Sequence, residues 1–279
     1  MIFLKLGGSL ITDKTRDNTP RLAIIARLAR EVKSALDGHP AKIVLGHGSG
    51  SFGHAAAKRF DTRAGVHDQL GWRGFSEVSV AAQRLNRLMA DALHLSGVPV
   101  FSVCPSASAR CEDGKLGYLD IEPIQQALAH DLVPLVMGDV AFDSVRGGTI
   151  ISTEEVFAYL ASHLPVTQVL LAGETDGVYH TWEPKGDDAR THTPARLVVP
   201  CITPDNWETM RTGVGGSHGA DVTGGMAGKV RDMLALVQAH PALTVRIFSG
   251  LADGNIMRAL AGEHLGTAVA AASQGLLRP

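Results

Sequence analysis

The sequence predicts an α/β fold built on a mostly parallel sheet with helices on both faces. Short apolar, β-rich runs alternate with longer helical ones along the chain. The runs Leu132–Met137 and Val166–Leu171 are almost continuously apolar, as strands buried on both faces must be. Each follows a segment of helical spacing, which a crossover between parallel strands needs.

In chain order, Ile2–Leu6 reads as the first strand. Pro20–Leu36 reads as a helix with Leu22, Ile25, Leu28, Ala29 and Val32 on one face. Lys42–Leu45 is a second short strand. Helical spacing returns at Val78, Ala82, Leu85, Met89 and Leu93, and after Gly97 a strand is expected over Val98–Val103. Helices at Ile121–His130 and Glu154–His163 precede the two apolar strands. The last third holds a helix from Gly225 to His240, a strand Thr244–Phe248 and a shorter helix Asn255–Ala261. Glu183–Thr193 is the most polar stretch and reads as a surface loop. Asp143–Gly148, with its Gly-Gly turn, is read as the boundary between two lobes, 1–145 and 146–279.

Composition narrows the function classes. The 279 residues are enough for a large core without staples. With 26 Lys and Arg against 28 Asp and Glu, the net charge is −2, so no basic field for nucleic acid or an anionic membrane is expected. Cys104, Cys111 and Cys201 are too scattered for a disulfide framework or a metal site and read as thiols in a reducing compartment. The apolar runs fall short of the roughly 18 residues that span a bilayer, and no basic segment precedes the first apolar residues. A soluble, cytoplasmic protein is expected.

Three glycine-rich loops stand where a strand would hand over to a helix. Lys5-Leu6-Gly7-Gly8-Ser9 follows the first strand, with Lys14 nearby. Residues without side chains let backbone N–H groups close on phosphate oxygens, and an ammonium adds a point charge. The second loop, Gly46 to His54, contains a GxGxxG at Gly48, Gly50 and Gly53. It fails as a dinucleotide fingerprint, because Asp68-Gln69-Leu70-Gly71, about 20 residues on, is a polar turn rather than a strand end. It also fails as a serine-hydrolase elbow, since neither Ser49 nor Ser51 has the flanking glycines. An anion-binding loop with His47 and His54 remains, and His54 is a donor to an anionic substrate. The third loop, Thr223 to Lys229, departs from a Walker A loop at Thr223 and Val230. A helix N-terminus with a lysine still suits phosphate. Three such loops point to a ligand with several phosphates and to phosphoryl transfer, which needs positioned anions and cations more than covalent chemistry.

These residues resemble the amino-acid kinase superfamily and, within it, the isopentenyl phosphate kinases. The likeness covers most of the chain: Lys5 to Lys14, Gly48-Ser49-Gly50-Ser51-Phe52-Gly53-His54, Gly138-Asp139-Val140, Thr175-Asp176-Gly177-Val178-Tyr179 and Asp221 to Lys229 follow in order. The Ser-Phe-Gly-His ending is its more specific part. The resemblance implies a three-layer αβα sandwich with an acceptor-binding N-terminal lobe and an ATP-binding C-terminal lobe. It implies transfer of the γ-phosphoryl group of ATP to isopentenyl phosphate with Mg²⁺, by a homodimer. His54, Lys5, Lys14 and Lys229 would be catalytic. Ser49, Gly50, Gly53, His54 and Gly138 would bind the acceptor phosphate. Lys5, Gly7, Gly8, Ser9, Lys14, Gly50, Asp176, Gly177, Tyr179, Gly225, Gly228 and Lys229 would bind ATP, and no metal-ligating side chain is expected.

Two motifs depart from the family. Ser152-Thr153-Glu154-Glu155 replaces the usual Ser-Gly-Asp-Asp, making Glu154 the candidate that orients the lysines. Ala172-Gly173-Glu174-Thr175-Asp176-Gly177 replaces a motif with aspartate at its second position. The helix carrying Val78, Ala82, Leu85, Met89 and Leu93, with Phe75 and Phe101 nearby, is the natural wall for an isoprenoid tail, with one or two of its residues facing the tail and the rest in the core. Alternatives are a kinase for a phosphonate of the fosfomycin type or for UMP, and a non-catalytic nucleotide-binding or storage protein.

Overall fold

The structure is a computed structural model and describes residues 1–39, 41–182, 195–210 and 225–272. The expected surface loop Glu183–Thr193 and the Thr223-Gly224 start of the third glycine loop lie outside the described residues.

The first half runs β1 (Ile2–Leu6), α1 (Gly8–Ile11), α2 (Leu22–Gly38), β2 (Ile43–His47), α3 (Ser51–Phe60), α4 (Gln69–Leu95), β3 (Val100–Ser102), β4 (Arg110–Glu112), β5 (Lys115–Tyr118), α5 (Glu122–Ala129) and β6 (Val133–Met137). The second half runs β7 (Asp139–Asp143), β8 (Gly147–Ile151), α6 (Thr153–Ala161), β9 (Gln168–Gly173), β10 (Tyr179–Trp182), β11 (Ala195–Val198), β12 (Cys201–Ile202), α7 (Pro204–Met210), α8 (Gly225–Ala239), β13 (Thr244–Ser249), α9 (Asn255–Leu260) and β14 (Thr267–Val269).

Eight strands form the central sheet in the order β12-β14-β13-β9-β1-β2-β6-β3. The six from β13 to β3 are mutually parallel, whereas β14 pairs antiparallel with β13 and carries β12 parallel to itself. Strand alternation sends Phe3, Val44, Val136, Val169 and Val245 to one face, where Phe157 and Leu160 of α6 and Val230, Met233 and Val237 of α8 cover them. Leu4, Leu45, Leu135 and Leu170 face the other way, onto Ile25, Leu28 and Val32 of α2, Leu85 and Met89 of α4 and Ile256 of α9. This is the expected three-layer αβα arrangement.

Several boundaries move for physical reasons. The second strand extends past Leu45 through Gly46 and His47, because β1 and β6 both pair along it. Gly46 sits inside this strand because a Cβ there would meet Phe157 Cζ at 2.8 Å. The helix expected from Pro20 begins at Leu22, since Pro20 bridges back to Thr12. Leu22, assigned to the buried face, is 58% exposed on that helix's first turn, and Phe101 at the sheet edge is 41% exposed. The strand expected over Val98–Val103 shortens to β3.

A second, four-stranded sheet, β5-β4-β7-β8, was not foreseen. Gly138 alone separates β6 from β7, so the chain passes from the central sheet into the smaller one within a single residue. Asp143–Gly148 is the turn of the β7–β8 hairpin, whose strands pair from Asp139↔Ile151 to Asp143↔Gly147. Asp143 closes that turn, its carboxylate accepting N–H groups from Gly114 at 2.6 Å and Arg146 at 2.8 Å.

Candidate active site

The order of connections reverses between the parallel strands β1 and β9: β2 follows β1 on one side, while β9 and β13 lie on the other. Parallel sheets bind ligands at the carboxyl ends of the strands flanking such a switch point. A cleft of about 200 Å³ opens there, bordered by the ends of β1, β2, β6 and β9 and by α3, α4, α6 and α8.

The cleft gathers Lys5, Gly7, Gly8, Ser9, Lys14, Ser49, Gly50, Gly53, Gly138, Glu154 and Lys229, residues chosen from five separate stretches of sequence. Asp176, Gly177, Tyr179, Gly225 and Gly228 do not border it. Tyr179 donates its hydroxyl to Asp176 Oδ2 at 3.2 Å beyond the end of β9, while Gly225 and Gly228 are buried within α8. His54 is the fourth residue of α3, directly after Gly53, and its side chain lies outside the described residues.

The first two glycine loops interlock. A Cβ on Gly8 would lie 2.4 Å from Gly50 N, and one on Gly48 would lie 2.7 Å from Gly8 N. Thr12 fastens the contact, donating to Gly8 O at 2.7 Å and accepting from Ser51 N at 2.9 Å.

Between Leu4 and Leu6, Lys5 projects to the opposite face, toward α6, and its ammonium pairs with Glu154. The helix start makes that possible. Ser152 Oγ accepts from Glu155 N at 3.1 Å and Glu155 Oε2 accepts from Ser152 N at 2.6 Å, a capping box that occupies Glu155. Glu155 also pairs with Arg63 at 3.0 Å, and Thr153 donates to His47 O at 2.6 Å. Each residue that departs from the Ser-Gly-Asp-Asp pattern therefore has a partner, and Glu154 is left to face the lysines. Burial pushes Glu154 up, but Lys5 and Lys229 together outweigh it and hold the carboxyl below its ordinary value of 4.5.

A carboxyl lowered by folding stabilises the fold above its unfolded value, and that stability is lost as pH falls through the folded value. Glu154→Gln should therefore be less stable than the wild type at pH 7 in urea unfolding. The difference should narrow below the ordinary value of 4.5 and vanish once Glu154 is protonated in both states. A gap that persists unchanged at pH 3 would show that the pair is not its source.

Asp61, Arg63 and Asp232, which sequence reasoning missed, also border the cleft. Gly53 and Ala57 lie at spacing four on α3, with Asp61 just past its C-terminal end, and Lys229 and Asp232 lie at spacing three on α8. The first group escaped notice because a glycine-rich start disguises a helix. Asp232 is raised by burial, and Glu154 and Glu155 push it further up against the pull of Arg231. Asp139, 1% exposed, is raised by burial and held down by N–H groups of Ser106 and Val140 at 3.2 and 2.8 Å.

The apolar part of the cleft is lined by Ala57, Val78, Ala82, Ile150 and Ile151. Of the five residues on the α4 stripe, Val78 and Ala82 face the cleft, and Leu85, Met89 and Leu93 pack in the core beneath α4. Phe75 joins Trp72 and Phe142 in an aromatic cluster instead, with ring centroids 5.3 Å apart from each.

Among the described residues no group of three His, Cys, Asp or Glu side chains could hold a metal ion, and no helix is long and apolar enough to cross a membrane.

Known proteins resemble this chain in sequence and fold. The model of the amino acid kinase family matches residues 1–249. An isopentenyl phosphate kinase of Methanothermobacter thermautotrophicus is 35% identical over 95% of this chain and 97% of its own length. One from Haloferax volcanii is 36% identical over 92% of this chain and 98% of its own. A solved isopentenyl phosphate kinase structure superposes with a TM-score of 0.77 at 29% identity, covering 96% of this chain and 99% of the other. With three lysines and two interlocked glycine loops at one cleft, the chain is a phosphotransferase of the amino acid kinase family and belongs, within it, to the isopentenyl phosphate kinases.

Proposed function

We propose that this protein transfers the γ-phosphoryl group of ATP to isopentenyl phosphate, giving isopentenyl diphosphate. The observation that carries this reading is the composition of the cleft: lysines and glycine loops suited to two phosphates are continuous with an apolar stretch, Ala57, Val78, Ala82, Ile150 and Ile151, suited to a short hydrocarbon tail.

A phosphate monoester with a second pKa of about 6 is already mostly dianionic at pH 7, so no general base is needed to prepare the nucleophile. The obstacle is bringing two polyanions together. Lys5, Lys14 and Lys229 would neutralise charge on the transferring group and its leaving oxygen. Gly7, Gly8 and Ser9 would offer donors on the nucleotide side, and Ser49, Gly50, Gly53 and Gly138 on the acceptor side. His54 would donate to the acceptor phosphate and orient it. Glu154, through Lys5, keeps one cation from swinging into solvent and is a positioning residue. Asp176, Gly177, Tyr179, Gly225 and Gly228 would lie along the nucleotide beyond the cleft.

For Mg²⁺, which binds through one or two carboxylates and the substrate phosphates and retains water, the residues present fit an ion brought in on the nucleotide. Of the cleft carboxylates Asp61, Asp139, Glu154 and Asp232, Asp232, three residues after Lys229 on α8, would hold it, and when bound the ion would spread the phosphate charge. For the two lobes, α3, α4 and the Gly48 loop of the acceptor side lie in 1–145 and Glu154, Gly173 and Lys229 in 146–279, while the nucleotide side also draws Lys5 to Lys14 from the first. A homodimer is the assembly proposed, with the exposed cluster around Trp72 and Phe142 as a surface for the second copy. Cytoplasmic residence is supported by three cysteines that are all free thiols.

The test is ADP release with isopentenyl phosphate, dimethylallyl phosphate, fosfomycin and UMP offered in parallel. Isopentenyl phosphate should give a kcat/KM at least about tenfold above fosfomycin and UMP, the discrimination available from a matched apolar pocket. Faster turnover of fosfomycin or UMP would reassign the acceptor, and no ADP from any of them would favour a binding protein.

A further inference from the structure

His47, the last residue of β2, is a buried imidazole that the proposed chemistry does not use. It is 0% exposed and lies on the apolar α4 side of the sheet, beside Leu45, yet each of its polar atoms is engaged. Nδ1 lies 3.2 Å from Gly48 O, Nε2 lies 3.1 Å from Asn86 Nδ2, and the main-chain carbonyl accepts from Thr153 Oγ1 at 2.6 Å. Asn86, 4% exposed, accepts in turn from the Ser102 hydroxyl through Oδ1.

The direction of this chain is determined by its ends. A carbonyl oxygen only accepts, so Nδ1 carries a proton. Burial disfavours the imidazolium, with nearby Lys5 adding to the effect, and the pKa falls to about 4. The ring is therefore neutral, Nε2 is an acceptor, and the amide of Asn86 must present its NH₂ group to it. That leaves Asn86 Oδ1 toward Ser102, whose hydroxyl donates. Hydrogen bonds run one way, from β3 through α4 and β2 to the glycine loop.

We propose that this Ser102–Asn86–His47 relay makes His47 a positioning residue of the acceptor loop, its Nδ1–H committed to holding the Gly48 carbonyl. In a trans peptide the carbonyl and the following N–H point in opposite directions, so fixing Gly48 O turns the Ser49 N–H away from His47. Ser49 borders the cleft, and Gly48 abuts Gly8, so the same contact sets the spacing between the two phosphate loops. His47 takes no part in proton transfer, and its closeness to Lys5 adds no charge to the site. The proposal rests on the kinase reading above.

Two near-isosteres separate this role from a merely structural one. His47→Asn keeps a donor at the Nδ1 position and loses the link to Asn86, whereas His47→Gln keeps an acceptor near the Nε2 position and loses the donor to Gly48. His47→Gln should raise KM for isopentenyl phosphate about tenfold, the size of one lost hydrogen bond, with KM for ATP unchanged. His47→Asn should bring it back to within about threefold of the wild type. Equal KM values in the two variants, or an equal rise in KM for ATP, would overturn the proposal. The ¹⁵N spectrum of the wild-type imidazole should show Nδ1 protonated and Nε2 bare, and the reverse would also overturn it. That spectrum needs no acceptor, and failure of the kinase reading would be seen separately, as wild-type protein that releases no ADP with isopentenyl phosphate.

Discussion

Replacing Lys5 by methionine should lower kcat about a thousandfold, the upper range for removing a single preorganised charge donor. The ammonium leaves the end of β1 at the switch point, lies mostly out of solvent and is paired with Glu154. Methionine preserves the length of the side chain, so packing against the α6 face is retained while the charge is lost. Two consequences separate a catalytic lysine from a structural one. Glu154 would keep only Lys229 among the cations acting on it, so its carboxyl should titrate at higher pH than in the wild type. Nucleotide affinity should fall far less than turnover, because Lys14, Lys229 and the Gly7–Gly8 backbone still border the cleft. Single-turnover ADP release and direct ADP binding measure the two effects, and a kcat within about tenfold of the wild type would remove Lys5 from the chemistry.

Gly50→Ala should cost about 3 kcal/mol of stability, as a large clash at a strained backbone position does, and should abolish acceptor turnover. Gly50 has φ 51° and ψ −133°, close to the first central residue of a type II′ turn, where glycine is required. Its missing Cβ would fall 2.0 Å from Thr12 Oγ1 and 2.6 Å from Gly8 O. The backbone of the first loop cannot yield without losing the Thr12 bonds that join Gly8 to Ser51. Urea unfolding and ADP release would report this together. An alanine variant with wild-type midpoint and turnover would mean that the two loops are not interlocked in solution.

Local chemistry made much of the site legible. An apolar strand running into Lys5-Leu6-Gly7-Gly8-Ser9 and a second strand running into Gly48-Ser49-Gly50 each say what the backbone does within a few residues, whereas the capping box at Ser152 came to light only in the structure. What escaped was whatever depends on a distant neighbour. The α3 pair Gly53 and Ala57, with Asp61 just past the helix, was hidden in a glycine-rich run, and β7 was hidden because only Gly138 separates it from β6. Gly46 looked like the end of a strand, but it is a place where Phe157 comes too close for any side chain.

By itself the sequence determined the secondary-structure alternation, the three lysines, and the places where a phosphate could approach bare backbone, because these follow from periodicity, from charge and from the lack of a Cβ. Only the tertiary structure decided that Lys5, Glu154 and Lys229 share one cleft. Strand order sets that proximity: β9 inserts beside β1 rather than beyond β6, and the reversal opens the crevice where residues far apart in the chain converge. It also decided which side of α4 meets the cleft, because Val78 and Ala82 look toward α3 and the cleft while Leu85, Met89 and Leu93 pack beneath the helix. A stripe of apolar residues states that a helix is buried, and the neighbours that bury it say whether they are core or substrate.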